Sequence, residues 1–111
     1  MPEVQCARVR LRPGTTQRVL SFLTGLKDRP EEVQAALARE GVKLESLFLE
    51  KTAEADYVIF YMRAENLARA TAVAQSSMHP FDVETRQFIQ ETWAEAYPLE
   101  LIVDLERALQ D

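Results

Sequence analysis

The sequence predicts an α+β fold in which helices cover one face of a single four-stranded sheet. Three observations lead to this prediction: four short segments with the alternation or composition of strands, longer segments with apolar side chains at helical spacing, and the order in which the two kinds follow each other. The chain has 111 residues, of which 47% are hydrophobic. This length and composition suit one compact domain, residues 1–111.

The chain begins with a strand and a broken helix. Apolar and polar side chains alternate over residues 4–11, as in a strand with one buried face, and Pro13 ends it. Residues 16–40 carry apolar side chains at helical spacing, with threonines placed to cap the first turn. Pro30 suits the first turn of a helix, so a break is expected near Arg29.

The middle of the chain predicts two strands joined by a turn. Gly41 ends the helix, and residues 41–51 form the second strand, with large apolar side chains in both of its alternating sets. The third strand, residues 56–63, is almost entirely apolar or aromatic. Such a strand is typical of the interior of a sheet.

The last part of the chain predicts two more helices and a fourth strand. Glu65 or Asn66 caps the first of these helices, and residues 76–80 interrupt it. A further helix is expected over residues 82–96, followed by a proline that ends it. Residues 99–105 alternate again and predict the fourth strand.

The resulting order, strand-helix-strand-strand-helix-strand, is the ferredoxin-like pattern with an antiparallel sheet in the order 4-1-3-2 and an extra helix in the second crossover. Its helices lie on one face and leave the other uncovered. That second face is too apolar for open solvent and too charged for a dry core, which predicts a second copy packed against it. Outside the ambiguous second strand, its expected members are Cys6, Arg8, Arg10, Tyr57, Ile59, Tyr61, Arg63, Glu100, Ile102, Asp104 and Glu106.

Four stretches resemble a small bacterial family without an assigned function, within the dimeric α+β-barrel superfamily. They are residues 9–14 (VRLRPG), 45–50 (ESLFLE), 61–65 (YMRAE) and 77–82 (SMHPFD). The resemblance covers nearly the whole chain and implies two ferredoxin-like protomers packed sheet against sheet. Superfamily members include cofactor-independent monooxygenases, sugar mutarotases, lactone isomerases and haem-handling enzymes, so the fold leaves the activity open. The chain has no histidine in its first helix, where the mutarotases are expected to carry their acid/base.

His79 and Asp82 are the candidate catalytic residues. His79 is the only histidine and the one side chain whose usual pKa lies near neutrality, which suits proton transfer. Asp82 is close enough in sequence to orient an imidazole. The alternative is that both residues cap the helix that follows them. Capping is the favoured explanation, and the stretch is kept as a candidate site because the resemblance places it among the family's recognisable features.

Three arginines of the uncovered face are candidate ligand-binding residues. Arg8, Arg10 and Arg63 could bind a carboxylate or phosphate. In the predicted strand order, however, Arg8 and Arg10 would face Asp104 and Glu106 as cross-strand ion pairs. Arg63 lies away from the fourth strand, has fewer expected partners, and is the preferred anchor.

Aromatic residues complete the candidate binding site. Tyr57 and Tyr61 could line a pocket, although filling a dimer interface is the favoured explanation of both. Trp93 is expected on the last helix, with its side chain in the core of the protein. In the binding hypothesis it also forms a wall of the same pocket. Cys6 shows no sequence sign of activation and is expected to be an inert thiol.

Charge and cysteine content limit the classes of function. The formal net charge is −5, which argues against a protein that binds a nucleic-acid backbone. The basic residues concentrate in the first strand and the acidic ones in the last, which the sheet would bring together. A single cysteine allows no internal disulfide. The sequence also lacks a cluster of cysteines and histidines that could form a structural zinc site. No signal-peptide or membrane-spanning run is present, so a cytoplasmic protein without membrane contact and without a cofactor is expected.

Two functions follow as hypotheses. In the first, a homodimer binds a small anionic or hydroxylated metabolite between the sheet and the helix break, with His79 as acid/base, Arg63 as anchor, and cofactor-free isomerisation or oxygenation as the reaction. In the second, the protein is a non-catalytic dimerisation or ligand-sensing module. A pocket of several hundred cubic ångströms reached by His79 would favour the first hypothesis.

Overall fold

The fold is ferredoxin-like, as predicted. A computed structural model describes residues 2–108. Four antiparallel strands form one sheet in the order β2-β3-β1-β4, with β3 and β1 inside it. The elements in chain order are β1 (Glu3–Leu11), α1 (Thr16–Gly25), a 3₁₀ turn (Leu26–Asp28), α2 (Pro30–Glu40), β2 (Val42–Lys51), β3 (Asp56–Ala64), α3 (Leu67–Ser76), α4 (Pro80–Thr92) and β4 (Trp93–Leu99).

Most helix ends lie where local chemistry predicted them. Asn66 caps α3, because its side chain accepts a hydrogen bond from the Arg69 backbone N–H at 2.8 Å. Gly41 ends α2 with φ of +70°, a conformation that costs glycine little. Thr15 differs from the prediction: its hydroxyl donates to the Arg12 carbonyl at 2.7 Å and does not cap α1.

The core lies between the sheet and the helices. Val9, Val19 and Val58 are almost fully buried there, and the rings of Phe22 and Phe88 stack with centroids 4.0 Å apart. The predicted helix-facing positions of the first and third strands are confirmed: Ala7, Val9 and Leu11 lie beside Phe60 and Val58. The core therefore occupies one side of the sheet only.

The fourth strand lies earlier in the chain than predicted. β4 runs over Trp93–Leu99, whereas the sequence pattern predicted residues 99–105. The backbone N–H of Arg12 donates to the Thr92 carbonyl at 2.8 Å, where α4 ends, and the chain then pairs with β1. Pro98, expected to end a helix, is tolerated in β4 because β4 is an edge strand.

The opposite side of the sheet is uncovered in a single copy, and we call it the open face. The residues of this face follow from the strand register, because side chains of residues paired across neighbouring strands point to the same face of the sheet. The ambiguity of β2 is resolved: Leu44 and Phe48 point to the open face, and Leu47 and Leu49 point to the helices. The open face contains Val4, Cys6, Arg8, Arg10, Leu44, Ser46, Phe48, Glu50, Tyr57, Ile59, Tyr61, Arg63, Glu95, Tyr97 and Leu99.

Residues 100–108 follow β4 without forming a helix or strand, and we call them the C-terminal arm. Every residue of the arm is exposed. Across residues 2–108, none of the helices has the length and apolar composition needed to cross a membrane.

Candidate functional site

The structure divides the predicted site residues between two places. Arg8, Arg10, Tyr57, Tyr61 and Arg63 all lie on the open face. His79 and Asp82 lie at the junction of α3 and α4, in the helix layer, and Trp93 packs into the core against Phe60. The predicted site residues therefore do not share one pocket between the sheet and the helices, contrary to the expectation.

Arg8 is the centre of the polar end of the open face. Its guanidinium carbon lies 3.7 Å from the centroid of the Tyr57 ring, a cation-π contact. Its Nε donates to Glu50 Oε1 at 2.8 Å across the sheet, and this carboxylate raises the pKa of Arg8. The expected ion pair of Arg8 with Asp104 or Glu106 is wrong, because those acids lie beyond β4.

Arg10 and Tyr97 extend this polar end toward the sheet edge. Arg10 lies opposite Tyr57 on one side and Glu95 on the other. Within residues 2–108 no carboxylate lies within 4 Å of its guanidinium, so its predicted pairing with Asp104 or Glu106 is also wrong. The Tyr97 hydroxyl donates to Glu95, and this hydrogen bond raises the pKa of Tyr97. Arg10 therefore keeps its charge available for a ligand.

Arg63, the preferred anchor in the sequence analysis, already has partners. Its guanidinium lies 3.0 Å from Asp104 Oδ1 and 3.5 Å from Glu106 Oε2, both in the C-terminal arm. It also donates to the Tyr61 hydroxyl at 3.4 Å. The expectation that Arg63 has few partners is wrong, because the two acids assigned to Arg8 and Arg10 contact it instead.

Asp82 is a buried structural carboxylate. Its side chain is only 8% exposed and accepts two hydrogen bonds from Arg39, each 2.9 Å long, and one of 2.6 Å from the Ser77 hydroxyl. Arg39 and then Ser77 lower the pKa of Asp82. These bonds fasten the end of α2 to the α3–α4 junction. They occupy the oxygens that would otherwise orient the His79 imidazole.

His79 occupies the N-cap position of α4 and is exposed. Its carbonyl accepts from the Val83 N–H at 2.9 Å, and its own N–H donates to the Ser77 hydroxyl at 3.2 Å. Its side chain makes no capping hydrogen bond. The capping interaction therefore uses backbone atoms that any residue other than proline provides.

Replacing His79 by Asn should accordingly leave the protein almost as stable as before. We expect the free energy of unfolding to change by less than about 0.5 kcal/mol, because exposed side chains without partners contribute little. Urea denaturation followed by circular dichroism measures this change. A loss of roughly 2 kcal/mol or more would show a side-chain role that the contacts do not contain.

Glu40, at the end of α2, was missed by the sequence analysis. Burial, and then the charges of Glu45 and Asp82, raise its pKa to about 7. The folded protein therefore holds a proton that the unfolded chain releases at a pH nearer 4.5. No sequence pattern marks this position, because the effect depends on acids brought together by folding.

The contribution of Glu40 to the free energy of unfolding should consequently fall as pH rises from about 4.5 to about 7. Glu40→Gln should remove this part of the fall and stabilise the protein above pH 7 by about 1 kcal/mol, allowing for solvent screening. Thermal melts between pH 5 and 8 measure it, with the exposed Glu31→Gln as control. Parallel pH profiles for wild type and Glu40→Gln would contradict the assignment.

Two surface hollows are present, and one of them reaches Arg10 of the open face. One, of about 280 Å³, lies between the β1–α1 loop and the β2–β3 turn and includes Arg10 and Asp56 in its lining. The other, of about 520 Å³, lies between α1 and α4, over Phe22 and Phe88. Neither hollow is lined by His79, and residues 2–108 hold no cluster of three side chains suited to a metal ion.

Together the sheet order and the uncovered face define a ferredoxin-like α+β protein. The sequence profile of DUF6176, a family of unknown function, matches residues 2–110, and the chain belongs to this family. A sequence search of curated proteins finds no match.

Several solved structures share the fold. An L-rhamnose mutarotase from Formosa agariphila superimposes with a TM-score of 0.58 and 16% identity, covering 94% of this chain and 99% of that one. The protein Rv0793 from Mycobacterium tuberculosis superimposes with a TM-score of 0.56 and 16% identity, covering 96% of this chain and 100% of that one. A dimeric protein of unknown function from Bacteroides fragilis, described as ferredoxin-like, superimposes with a TM-score of 0.54 and 19% identity. The match covers 86% of this chain and 91% of that one. At these identities the likeness is one of fold.

Proposed function

We propose that the protein is a homodimeric module that binds a small anionic or hydroxylated molecule between two copies packed open face to open face. The open face carries this proposal. Phe48 is 59% exposed and Leu99 50% exposed on it, and Leu44 and Tyr97 are also exposed. Apolar side chains grouped on one sheet face are typical of an interaction surface. The Bacteroides fragilis protein of the same fold, described as dimeric, supports the proposal of a dimer.

The binding site we propose is the polar end of the open face. Arg8 is held by Glu50 and Tyr57, so its guanidinium is fixed in place before a ligand arrives. Arg10 supplies a second positive charge one pleat further along β1. Two guanidinium groups beside a phenol suit a carboxylate, a phosphate or a sugar hydroxyl. Tyr61, nearer the centre of the open face, serves as a wall of the enclosed space.

Binding without catalysis is the function this arrangement favours. His79, the natural acid/base of the sequence, lies in the helix layer and not on the open face. Asp82 is committed to Arg39 and Ser77. We therefore place both residues outside the proposed site and assign them to the α3–α4 junction.

A ligand screen by two-dimensional NMR tests this function. Carboxylates, sugar phosphates and free sugars are added to the ¹⁵N-labelled protein, and members of at least one class should shift the resonances of Arg8, Arg10 and Tyr57. Arg8→Gln should weaken that binding about tenfold or more, since charge-assisted hydrogen bonds of this kind contribute at least 1.4 kcal/mol. Arg69→Gln, on the exposed surface of α3, is the matched control. A dimer whose open-face resonances respond to no class would contradict the binding function.

A further inference from the structure

β4 brings an acid and a phenol to the polar end of the open face. Glu95 and Tyr97 lie two residues apart on this strand, so their side chains point to the same side of the sheet. The Tyr97 hydroxyl donates a hydrogen bond to Glu95 Oε2. Both residues are exposed in a single copy. They therefore form a hydrogen-bonded pair that a ligand on this face can reach.

The strand register places this pair directly opposite the two arginines of β1. Arg8 lies opposite Tyr97, and Arg10 lies opposite Glu95. Residues paired in this way have Cα atoms about 4.5–5.5 Å apart. The pKa of Tyr97 agrees with this arrangement, because the hydrogen bond to Glu95 raises it and the charge of Arg10 opposes the rise. A positive charge and a hydrogen-bond acceptor thus lie side by side.

Arg10 and Glu95 do not bind each other although they are neighbours of opposite charge. Among residues 2–108, neither takes part in an ion pair of 4 Å or less. Arg8, in contrast, is bound by Glu50. Glu95 is bound by the Tyr97 hydroxyl, which leaves its carboxylate able to accept further hydrogen bonds. The polar end therefore offers one available guanidinium and one available acceptor.

The charges of the polar end limit the class of ligand. The two arginines are balanced there by Glu50 and Glu95, so the polar end has no net formal charge. A phosphate would bring about two further negative charges close to Glu95, and like charges repel. An ammonium group at Glu95 would lie beside the guanidinium groups of Arg8 and Arg10. A carboxylate on Arg10 with a neutral hydroxyl at Glu95 avoids both conflicts.

We propose that the ligand is a 2-hydroxycarboxylate, whose carboxylate binds Arg10 and whose hydroxyl donates a hydrogen bond to Glu95. The inference rests on the proposed binding function and names the ligand class for that same site. The two groups of such an acid lie on adjacent carbon atoms, which suits side chains at directly opposite positions of neighbouring strands. Tyr97 is a positioning residue, because its hydroxyl holds Glu95 and leaves Arg10 free.

Three acids of matched size test this class: 2-hydroxybutanoate, butanoate and 2-aminobutanoate. Each acid, with both enantiomers where they exist, is titrated into the ¹⁵N-labelled protein at neutral pH. Dissociation constants are taken from the shifted resonances of Arg10 and Glu95. The better 2-hydroxybutanoate enantiomer should bind roughly tenfold more tightly than butanoate, because its extra hydrogen bond goes to a charged acceptor. It should also bind more tightly than 2-aminobutanoate.

Two variants separate the roles of the pair. Glu95→Gln still accepts from the Tyr97 hydroxyl but lacks the charge, so the preference for 2-hydroxybutanoate over butanoate should fall to about threefold or less. Glu31→Gln, exposed on α2, is the matched control and should keep the full preference. Tyr97→Phe releases Glu95 to pair with Arg10, so binding of both acids should weaken roughly threefold.

Equal binding of 2-hydroxybutanoate and butanoate by the unmodified protein would overturn the 2-hydroxycarboxylate while leaving a binding function intact. Tighter binding of 2-aminobutanoate, or a preference unchanged in Glu95→Gln, would also overturn it. The same holds if sugars or phosphates shift the open-face resonances and none of the three acids does. Open-face resonances that respond to no acid, sugar or phosphate would overturn the proposed function as well.

Discussion

Replacing Tyr61 by Glu should convert the proposed open-face dimer into a monomer. Tyr61 lies at the middle of the open face, beside Cys6 on β1 and Ser46 on β2. In the face-to-face dimer a carboxylate at this position would be removed from water, and the neighbouring guanidinium, Arg63, is already bound by Asp104 and Glu106. We expect the dissociation constant to rise roughly 100-fold or more, equivalent to about 2.7 kcal/mol. Light scattering coupled to size-exclusion chromatography measures the change as a fall in mass.

Gln75→Glu is the matched control for this experiment. Gln75 is exposed on α3, in the helix layer on the other side of the sheet, so the same charge added there should leave the dimer unchanged. Circular dichroism should show that both variants remain folded, since neither Tyr61 nor Gln75 belongs to the core clusters of the described residues. A Tyr61→Glu protein that is still dimeric at the wild-type dissociation constant would show that the copies associate through another surface.

Replacing Asp82 by Ala should cause the largest loss of stability. The variant leaves the Arg39 guanidinium, now without its two 2.9 Å hydrogen bonds, beside a buried position. It also removes the acceptor of the Ser77 hydroxyl. Losing one partner of a buried ion pair costs 3–5 kcal/mol when both groups are buried, and Arg39 is partly exposed, so we expect about 2–3 kcal/mol. The melting temperature should fall by roughly 10 °C.

A double-mutant cycle separates the ion pair from other effects at this site. Arg39→Met keeps the aliphatic part of the side chain and removes the charge. If the pair stabilises the junction of α2 with α3 and α4, the double variant should be less destabilised than the sum of the two single variants, by about 1 kcal/mol or more. Strictly additive losses would show that Asp82 and Arg39 act independently.

Local patterns were sufficient for most of the fold. The alternation of apolar and polar residues predicted the position of β1. The helix break before Pro30 and the helix end at Gly41 lie where the local residue types predicted them. The apolar composition of β3 predicted that this strand lies inside the sheet. These features depend on near neighbours in the chain, which a single sequence displays. The order of the elements then restricted the topology.

The fourth strand could not be located in this way because two signals were ambiguous. Residues 93–99 contain two alanines and a proline, a composition that suits the end of a helix better than a strand. Pairing with β1 overrides that propensity, and a register shift between Arg10 and Leu11 accommodates Ala94 as an extra residue. The stronger alternation beyond Leu99 belongs to the arm, which pairs with no strand of its own sheet and contacts that sheet through Arg63.

The wrong ion pairs predicted for Arg8 and Arg10 follow from this displacement. With the fourth strand placed six residues too late, Asp104 and Glu106 fell beside Arg8 and Arg10. Of the true neighbours of those arginines, Glu95 was assigned to a helix, and Tyr97 was placed outside the predicted strand. The partner of Arg8, Glu50, lies on β2, where both alternating sets are apolar enough to be buried and the register alone decides the side. Which side chains pair across a sheet can thus be predicted only when the first and last residues of each strand are predicted correctly.

Cys6 provides the most direct test of the face-to-face dimer. Its thiol lies on the open face, between Tyr61 and Leu99, and it is the only cysteine in the chain. We would measure its rate of modification by a thiol reagent across a dilution series in which light scattering reports the fraction of dimer. The open-face dimer predicts that the rate falls in proportion as the dimer forms. A dimer whose Cys6 reacts as fast as that of the monomer would contradict it.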